Sequence, residues 1–264
     1  MNRRQSVQAL GAALGAGFTR WASARATDAG GATPTAQAPT YSVGAPPTGI
    51  PFTYIEPKTN TMQGAMADVL RSIAADAGFG LSFESSPFPA LIPALLMKRI
   101  DMIGAAMLVT APRREAIDFS DPVFAYPEGL VANLTDKTPY RSLADLKGQA
   151  VGAQAGTIYA DFVRNAVDTN HFRVYPSIAD ILREISQGRL AAGVGDGPIL
   201  AYQLAQNVSL RAHLVSTYEA QLSGNIGIGV RKTDAELLKT INASLAKLRA
   251  DGTIDMIATK WNLK

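Results

Sequence analysis

The chain has 264 residues, of which 47% are hydrophobic, 18% charged and 7% aromatic. This length corresponds to about two domains, and the composition is that of a folded protein rather than a disordered one. The chain has no cysteine and only two histidines, His171 and His213. These counts exclude a disulfide scaffold and a cysteine nucleophile, and we expect neither a metal nor an organic cofactor.

The net charge of +3 comes from the N-terminal region. The first 26 residues contain four arginines and no acidic residue, and the rest of the chain holds 21 basic and 22 acidic residues. Binding to nucleic acid needs a basic face on the folded domain. We therefore expect no nucleic-acid partner.

Residues 1–26 have the pattern of an export signal. Arg3 and Arg4 form a basic start, residues 9–18 are weakly apolar, and residues 24–26 (Ala-Arg-Ala) offer a cleavage site. The paired arginines favour a twin-arginine signal, although the large apolar residue usual after the pair is missing. An amphipathic first helix of the fold is the alternative. The sequence predicts export to the periplasm.

Residues 27–39 are rich in Ala, Thr, Pro and Gly and are typical of a linker. From residue 40 onward, short strands alternate with amphipathic helices, such as helix 66–77, which Gly78 ends. Such alternation implies βα units in mainly parallel sheets, arranged as two α/β lobes. The predicted strands are 41–44, 81–84, 100–106, 150–153, 173–175, 191–195 and 225–230, and the predicted helices are 66–77, 91–97, 110–116, 158–167, 177–187, 198–205 and 234–249.

The first candidate ligand-binding group follows strand 100–106, since ligands in open α/β sheets bind beyond the carboxyl ends of the strands. Thr110 suits the N-cap of the next helix, and two arginines in its first turn, Arg113 among them, oppose the helix dipole. Glu115 and Asp118 could offset that charge locally. Alternatively, the guanidinium of Arg113 clamps a ligand carboxylate through paired N–H groups.

Two further strand ends carry groups of complementary chemistry. Residues 154–157 open the helix after strand 150–153, where free backbone N–H groups form either an anion site or an ordinary helix cap. Asp196 follows strand 191–195 and is either an N-cap or a partner for an ammonium group. Together, the three strand ends supply a cation, oriented N–H donors and an anion, which is the complement of a zwitterion.

A series of short motifs runs from residue 41 to residue 261. They are Leu-Ile-Pro-Ala-Leu at 91–95, Ile-Asp-Met-Ile at 100–103, Met107, Thr110, Arg113, Asp-Phe-Ser-Asp-Pro at 118–122, Leu-Ala-Asp-Leu-Lys-Gly at 143–148, Val-Gly-Ala-Gln-Ala-Gly-Thr at 151–157, Gly-Arg at 188–189, Asp196, Gly-Ile at 227–228 and Lys-Trp at 260–261. This order resembles the family 3 extracellular solute-binding proteins, the periplasmic receptors of ABC importers for polar amino acids.

The resemblance implies a type II-like α/β fold of two lobes, with two crossing strands near 129–133 and 225–230 as the hinge. Lobe 1 would be discontinuous, formed by residues 40–130 together with 225–264. Lobe 2 would contain residues 131–224.

The resemblance also implies roles for individual residues. Arg113 would hold the ligand α-carboxylate, helped by the backbone N–H of Thr157. Asp196 would hold the α-ammonium, helped by the carbonyl of Ala106. The ring of Phe88 would pack on the ligand side chain, and Gln154 would contribute selectivity. The predicted ligand-binding residues are Arg113, Asp196, Phe88, Ala106, Leu108, Gln154, Gly156 and Thr157.

Two positions depart from the family pattern. Leu108 stands where the family often has a hydroxyl residue, and the loss of one hydrogen bond is worth about 0.5–1.5 kcal/mol. Gly49 stands where an aromatic residue commonly covers the ligand. These departures leave room for a bulkier or modified ligand.

The predicted function is therefore capture of an amino acid or a similar zwitterion by closure of the lobes. The protein would act as a monomer without enzymatic activity and deliver the ligand to an ABC permease. A cyclohexadienyl dehydratase on the same fold is the alternative, with Asp196 or Glu184 as catalytic acid. A sensor domain is a third class, which the lack of a long apolar segment in the mature part disfavours. Trp261 would seal a lobe or, less simply, form an aromatic wall of the ligand site.

Overall fold

The alternation predicted from the sequence is present in the computed structural model, which describes residues 38–167 and 170–263. The predicted signal peptide lies outside the described residues, as does the linker apart from its last two residues. The strands are β1 (Thr40–Ala45), β2 (Thr48–Gly49), β3 (Thr53–Glu56), β4 (Thr61–Gln63), β5 (Gly80–Ser85), β6 (Met102–Ile103), β7 (Asp118–Phe119), β8 (Phe124–Asn133), β9 (Val151–Gln154), β10 (Phe172–Tyr175), β11 (Ala192–Asp196), β12 (Ala212–Leu214), β13 (Ser223–Ile226) and β14 (Gly229–Val230). The helices are α1 (Ala65–Ala77), α2 (Leu91–Leu96), α3 (Ala111–Ala116), α4 (Ile158–Ala166), α5 (Ile178–Ser186), α6 (Gly197–Gln206), α7 (Ala235–Ala250) and α8 (Thr253–Lys260).

The first sheet has the order β5-β1-β6-β14-β7. Its first three strands are parallel, and β14 is antiparallel to both of its neighbours. Helix α1 buries the apolar face that its spacing predicts, including Val69, Leu70 and Ile73. It ends at Gly78, which adopts the left-handed conformation (φ 75°) that favours glycine after a helix.

The second sheet has the order β10-β9-β11-β8-β12, and β13 pairs with the first part of β8. Strands β10, β9 and β11 are parallel, and β8 is antiparallel to both of its neighbours, β11 and β12. Helix α5 buries one apolar face, formed by Ile178, Ile181, Leu182 and Ile185. In each of these two sheets a single strand, β14 or β8, runs against the other four of the order, which agrees with the expectation of mainly parallel sheets.

Strands β8 and β13 connect the two sheets. The chain leaves the first sheet after β7, enters the second through β8, and returns through β13 to β14. The two connecting strands pair with each other, with Phe124 opposite Ile226. The first sheet is thus assembled from two separate segments of the chain. The exact limits of the lobes, 40–130 with 225–264 and 131–224, stay a prediction.

Two local predictions are corrected. Strand 100–106 is shorter than predicted: only Met102–Ile103 form a strand, opposite Val43 and Gly44 of β1. Strand 225–230 is two strands, because residues up to Ile226 pair in the second sheet and Gly229–Val230 pair in the first. The sequence did not indicate β2, β3 and β4, which form a small antiparallel sheet.

The C-terminal helices α7 and α8 pack against α1 beside the first sheet. Along α7, Leu237, Ile241, Leu245 and Leu248 are buried, and Leu238 is half-buried. Trp261 is half-buried beside Tyr54 and donates a 2.8 Å hydrogen bond from Nε1 to Asp68. None of the described helices combines the length and hydropathy needed to cross a bilayer.

Candidate functional site

Arg113 and Asp196 face one small cavity between the two sheets, which we call the arginine compartment. With its mouth it holds about 180 Å³ of space, but the cavity itself has a volume of only about 10 Å³. The arginine comes from a helix after the first sheet, and the aspartate ends a strand of the second. The compartment is lined by Phe88, Ala106, Leu108, Arg113, Thr157, Ile158, Tyr159 and Asp196.

The start of α3 positions Arg113. Thr110 is the N-cap, and its side chain accepts a hydrogen bond from the backbone N–H of Arg113 at 3.4 Å. The guanidinium donates to the carbonyl of Leu108 at 2.6 Å and to the carbonyl of Gly156 at 3.0 Å. It also lies 5.5 Å from the ring centre of Phe88, within the range of a cation–π contact.

No carboxylate of the described residues forms an ion pair with Arg113. Asp118, a candidate local partner, pairs instead with Lys232 at 3.1 Å. A guanidinium has five N–H donors, and within the described part of the chain two of them have acceptors. Burial lowers the pKa of Arg113, and the Asp196 carboxylate opposes that shift. The remaining donors are suited to a bidentate carboxylate.

Asp196 is a buried carboxylate at the end of β11. It occupies the N-cap position of α6, but its side chain makes no capping hydrogen bond. Its Oδ1 atom accepts from the hydroxyl of Tyr126 at 2.6 Å and from that of Tyr159 at 3.1 Å. Burial raises the pKa of this carboxyl, and the two tyrosine hydrogen bonds counter the shift. Both tyrosines donate to Oδ1, and no side chain of the described residues donates to Oδ2.

Sequence reasoning missed both tyrosines. The hydroxyl of Tyr126 lies 3.0 Å from the carbonyl of Ala106 as well as 2.6 Å from Asp196, so it stands between the two predicted acceptors of the ammonium group. Burial raises the pKa of both tyrosines, so they stay protonated donors. For Tyr159 the available signal was its place in the first turn of the predicted helix 158–167, two residues after the candidate Thr157.

A second cavity adjoins the first, since both are lined by Phe88, Ala106 and Asp196. We call it the threonine compartment. With its mouth it holds about 380 Å³ of space, but the cavity itself has a volume of only about 20 Å³. That room suits one or two waters, so its walls must separate to admit a larger solute. It is lined by Pro46, Thr48, Gly49, Thr53, Phe88, Ala106, Gln154, Ile178, Asp196 and Ile199.

The turn after β9 places the other predicted residues from the second sheet. Gly156 has a φ of 73°, and a Cβ atom there would lie 2.8 Å from the Cβ of Pro89, so both conformation and space require glycine. The backbone N–H of Thr157 already makes a long, 3.4 Å bond to Gln154. The side-chain nitrogen of Gln154 donates to the carbonyl of Pro176 at 3.1 Å.

The remaining candidates lie on different sides of the site. Leu108 is buried and contributes its carbonyl to Arg113. Gly49 lines the threonine compartment, where a Cβ atom would meet ordinary contacts at 3.4 Å or more. Glu184 lies on α5, forms an ion pair with Arg189 and lines neither compartment. Trp261 also lines neither of them.

Two α/β lobes joined by a pair of crossing strands, with a closed cleft between them, define the class of two-lobed periplasmic binding proteins. Residues 41–264 match the family of bacterial extracellular solute-binding proteins, family 3. The chain belongs to this family, which confirms the resemblance seen in its motifs.

The comparisons with individual proteins agree with this assignment. The chain is 27% identical over 203 residues to the ABC transporter arginine-binding protein 1 of Escherichia coli (strain K12), covering 76% of this chain and 82% of the relative. An ancestral arginine-binding protein bound to glutamine superposes with a TM-score of 0.78 at 31% identity, covering 84% of this chain and 97% of the other. An ancestral amino-acid-binding protein, a precursor of cyclohexadienyl dehydratase, superposes with a TM-score of 0.74 at 27% identity, covering 84% and 94%.

Proposed function

We propose that this protein captures a free α-amino acid between its lobes and delivers it to an ABC permease. The observation that carries the proposal is the pairing of Arg113 and Asp196 on one compartment. A guanidinium and a buried carboxylate form the complement of a zwitterion, because each ligand charge then finds a partner of opposite sign. The names of the relatives, which bind amino acids, support the same ligand class.

In the proposed mechanism, the ligand first meets the open cleft. Its carboxylate takes hydrogen bonds from Arg113 in exchange for the carbonyl of Gly156, which belongs to the other sheet. Its ammonium then binds Oδ2 of Asp196 and the carbonyl of Ala106, beside the hydroxyl of Tyr126. Because the partners come from both lobes, binding favours the closed state.

We further propose that the lobes divide at 40–130 with 225–264 and at 131–224, as the sequence indicates. The crossing of β8 and β13 between the sheets supports this division. The protein would work in the periplasm as a monomer after export through its N-terminal signal. Membership of an extracellular family supports that location.

Replacement of Arg113 tests the proposed function. The Arg113→Ala variant leaves a bound carboxylate buried without its partner, which costs about 3–5 kcal/mol. We expect its affinity for the best amino-acid ligand to fall at least about 100-fold in isothermal titration calorimetry. The matched control is Arg114→Ala, since Arg114 is exposed on the same helix and lies over Phe119. Equal affinity of the Arg113→Ala variant and the parent would rule out this site.

A dehydratase is the second candidate function. The structural likeness to a precursor of cyclohexadienyl dehydratase favours it, as does the raised pKa of Asp196, which suits a proton donor. Against it, Asp196 is the single carboxylate among the described residues that line the cleft. Incubation with prephenate or arogenate decides: formation of the aromatic product supports the enzyme, and its absence supports the receptor.

A further inference from the structure

The cleft contains one cationic and one anionic side chain. Of the described residues that line the arginine and threonine compartments, only Arg113 and Asp196 carry charge. In the proposed function, the carboxylate of the ligand uses the first and its ammonium uses the second. Nothing charged is left for the ligand side chain.

A third charge in this cleft would be buried without a partner. Removal of a charge from water is costly unless an opposite charge or several hydrogen bonds replace the solvent. A lysine, arginine, aspartate or glutamate side chain would face Pro46, Ile178 and Ile199 in the threonine compartment. The cleft therefore selects against charged side chains.

The threonine compartment also contains an unused hydrogen-bonding group. Thr53, the first residue of β3, is fully buried, and its Oγ1 atom has no hydrogen-bond partner in the described structure. A buried polar group without a partner is costly. Thr53 lines the same compartment that the ligand side chain would enter.

Gly49 places no side chain beside this hydroxyl. It lies opposite Thr53 in the β2–β3 pair, and a Cβ atom at position 49 would lie 3.5 Å from Oγ1. A large side chain there would cover the hydroxyl. Gln154 lies across the same compartment, and its side-chain oxygen accepts no hydrogen bond from the described residues.

We infer that the ligand is an α-amino acid with an uncharged, hydrogen-bonding side chain, and that Thr53 recognises that side chain through Oγ1. This inference rests on the proposed function, because Arg113 and Asp196 must already be engaged by the ligand backbone. The side chain would extend from the arginine compartment into the threonine compartment, between the apolar residues and the hydroxyl. Amide and hydroxyl side chains fit this description.

The first measurement is calorimetry of the full chain with the twenty common L-amino acids. We expect the tightest ligand to be one of glutamine, asparagine, threonine or serine. We also expect preference over near-isosteres that lack the polar group: glutamine over methionine, asparagine over leucine, and threonine over valine.

The second measurement uses Thr53→Val, which removes the hydroxyl and keeps the branched shape. We expect the preference for the polar ligand over its isostere to fall about tenfold, which corresponds to one hydrogen bond. The melting temperature should stay equal or rise, because the variant buries a methyl group instead of an unpaired hydroxyl. Thr61→Val is the matched control, since Thr61 is exposed on β4 of the same small sheet.

The possible results separate this inference from the proposed function. Tightest binding of a charged amino acid, abolished by Arg113→Ala, would overturn the inference and keep the proposed function. An unchanged preference in Thr53→Val would equally overturn the role of Thr53. Binding of no amino acid at all would overturn both.

Discussion

Asp196 combines three properties that rarely coincide in one carboxylate. It is buried, its Oδ1 atom accepts from two tyrosine hydroxyls, and it lines a cavity. Burial disfavours the charged form and raises the pKa, while the two hydrogen bonds favour the charged form. A ligand ammonium would further favour the charged form of this carboxyl.

The raised pKa of Asp196 makes ligand affinity depend on pH. Protonation removes the negative charge that the ammonium needs, so affinity should fall as the pH drops through the raised pKa of this carboxyl. Calorimetry across the acidic range should show proton release on binding, as heats that vary with the ionisation enthalpy of the buffer. Asp196→Asn should bind at least about 100-fold more weakly at neutral pH and lose this pH step. A parent protein whose affinity stays constant down to the pKa of free aspartate would contradict the assignment.

The same shift has a consequence for stability. Because the folded-state pKa lies above the unfolded value, the contribution of Asp196 to stability is largest at acidic pH and is lost as the pH rises through the raised value. At neutral pH the charged carboxylate therefore works against folding. Asp196→Asn keeps an oxygen acceptor for Tyr126 and Tyr159, so its melting temperature without ligand should equal or exceed that of the parent.

At the scale of elements, a buried glutamate fastens the two crossing strands together. Glu128 lies on β8 and is 3% exposed. Its carboxylate accepts from the hydroxyl of Tyr218 at 3.1 Å and from the backbone N–H groups of Gln221 and Leu222 at 2.6 and 2.7 Å. These residues lead directly into β13, so Glu128 fixes the path of the returning strand.

The Glu128→Gln variant tests this role. One carboxylate oxygen becomes an NH₂ group, which cannot accept from a backbone N–H, and a buried donor left unpaired costs about 1–3 kcal/mol. At about 2–4 °C per kcal/mol for a chain of this size, we expect the melting temperature to fall by about 2–12 °C. The control is Glu219→Gln, an exposed glutamate in the same connection, whose melting temperature should stay within about 2 °C of the parent. Equal stability of both variants would show that Glu128 does not hold the crossing strands.

Local patterns predicted the elements whose causes are local. The apolar spacing and Gly78 gave α1 within one residue, and Thr110 gave the start of α3. Strands β2, β3 and β4 were missed, because such short strands are defined by pairing across turns rather than by an apolar pattern. Likewise, the predicted strand 225–230 is two strands because its first residues pair with β8 and its last residues pair with β6. The sequence carries no sign of this division.

The residues of the candidate site fall into the same two groups: those that the sequence predicts and those that only the fold brings together. Arg113 and Asp196 could be found because they follow strand ends, where an α/β fold places its ligands. Tyr126 could not, because it is 70 residues from Asp196 and its role arises only when the crossing strand passes that carboxylate. The unpaired hydroxyl of Thr53 likewise follows from packing and leaves no trace in the sequence.

At the scale of the whole molecule, the two lobes are in contact across the cleft. Arg113 donates to the carbonyl of Gly156 across the cleft, and Gly156 packs against Pro89. These contacts keep the cleft too narrow for an amino acid. The lobes must separate before binding, and they can close again only if the turn at Gly156 returns to Pro89.

Gly156→Ala tests whether this approach accompanies binding. The new Cβ would lie 2.8 Å from Pro89, which would hold the lobes apart, and alanine is also strained at a φ of 73°. Gly188→Ala is the matched control: Gly188 has the same φ of 73°, but nothing lies within 4 Å of its Cβ position. Both variants should therefore lose similar stability from backbone strain. In calorimetry only Gly156→Ala should weaken ligand binding, by at least about tenfold, because closure supplies part of the binding energy. Small-angle scattering with saturating ligand should show a smaller decrease in the radius of gyration for Gly156→Ala than for the parent. If the two variants bound ligand equally well, Gly156 would not meet Pro89 in the bound state, and closure would follow another path.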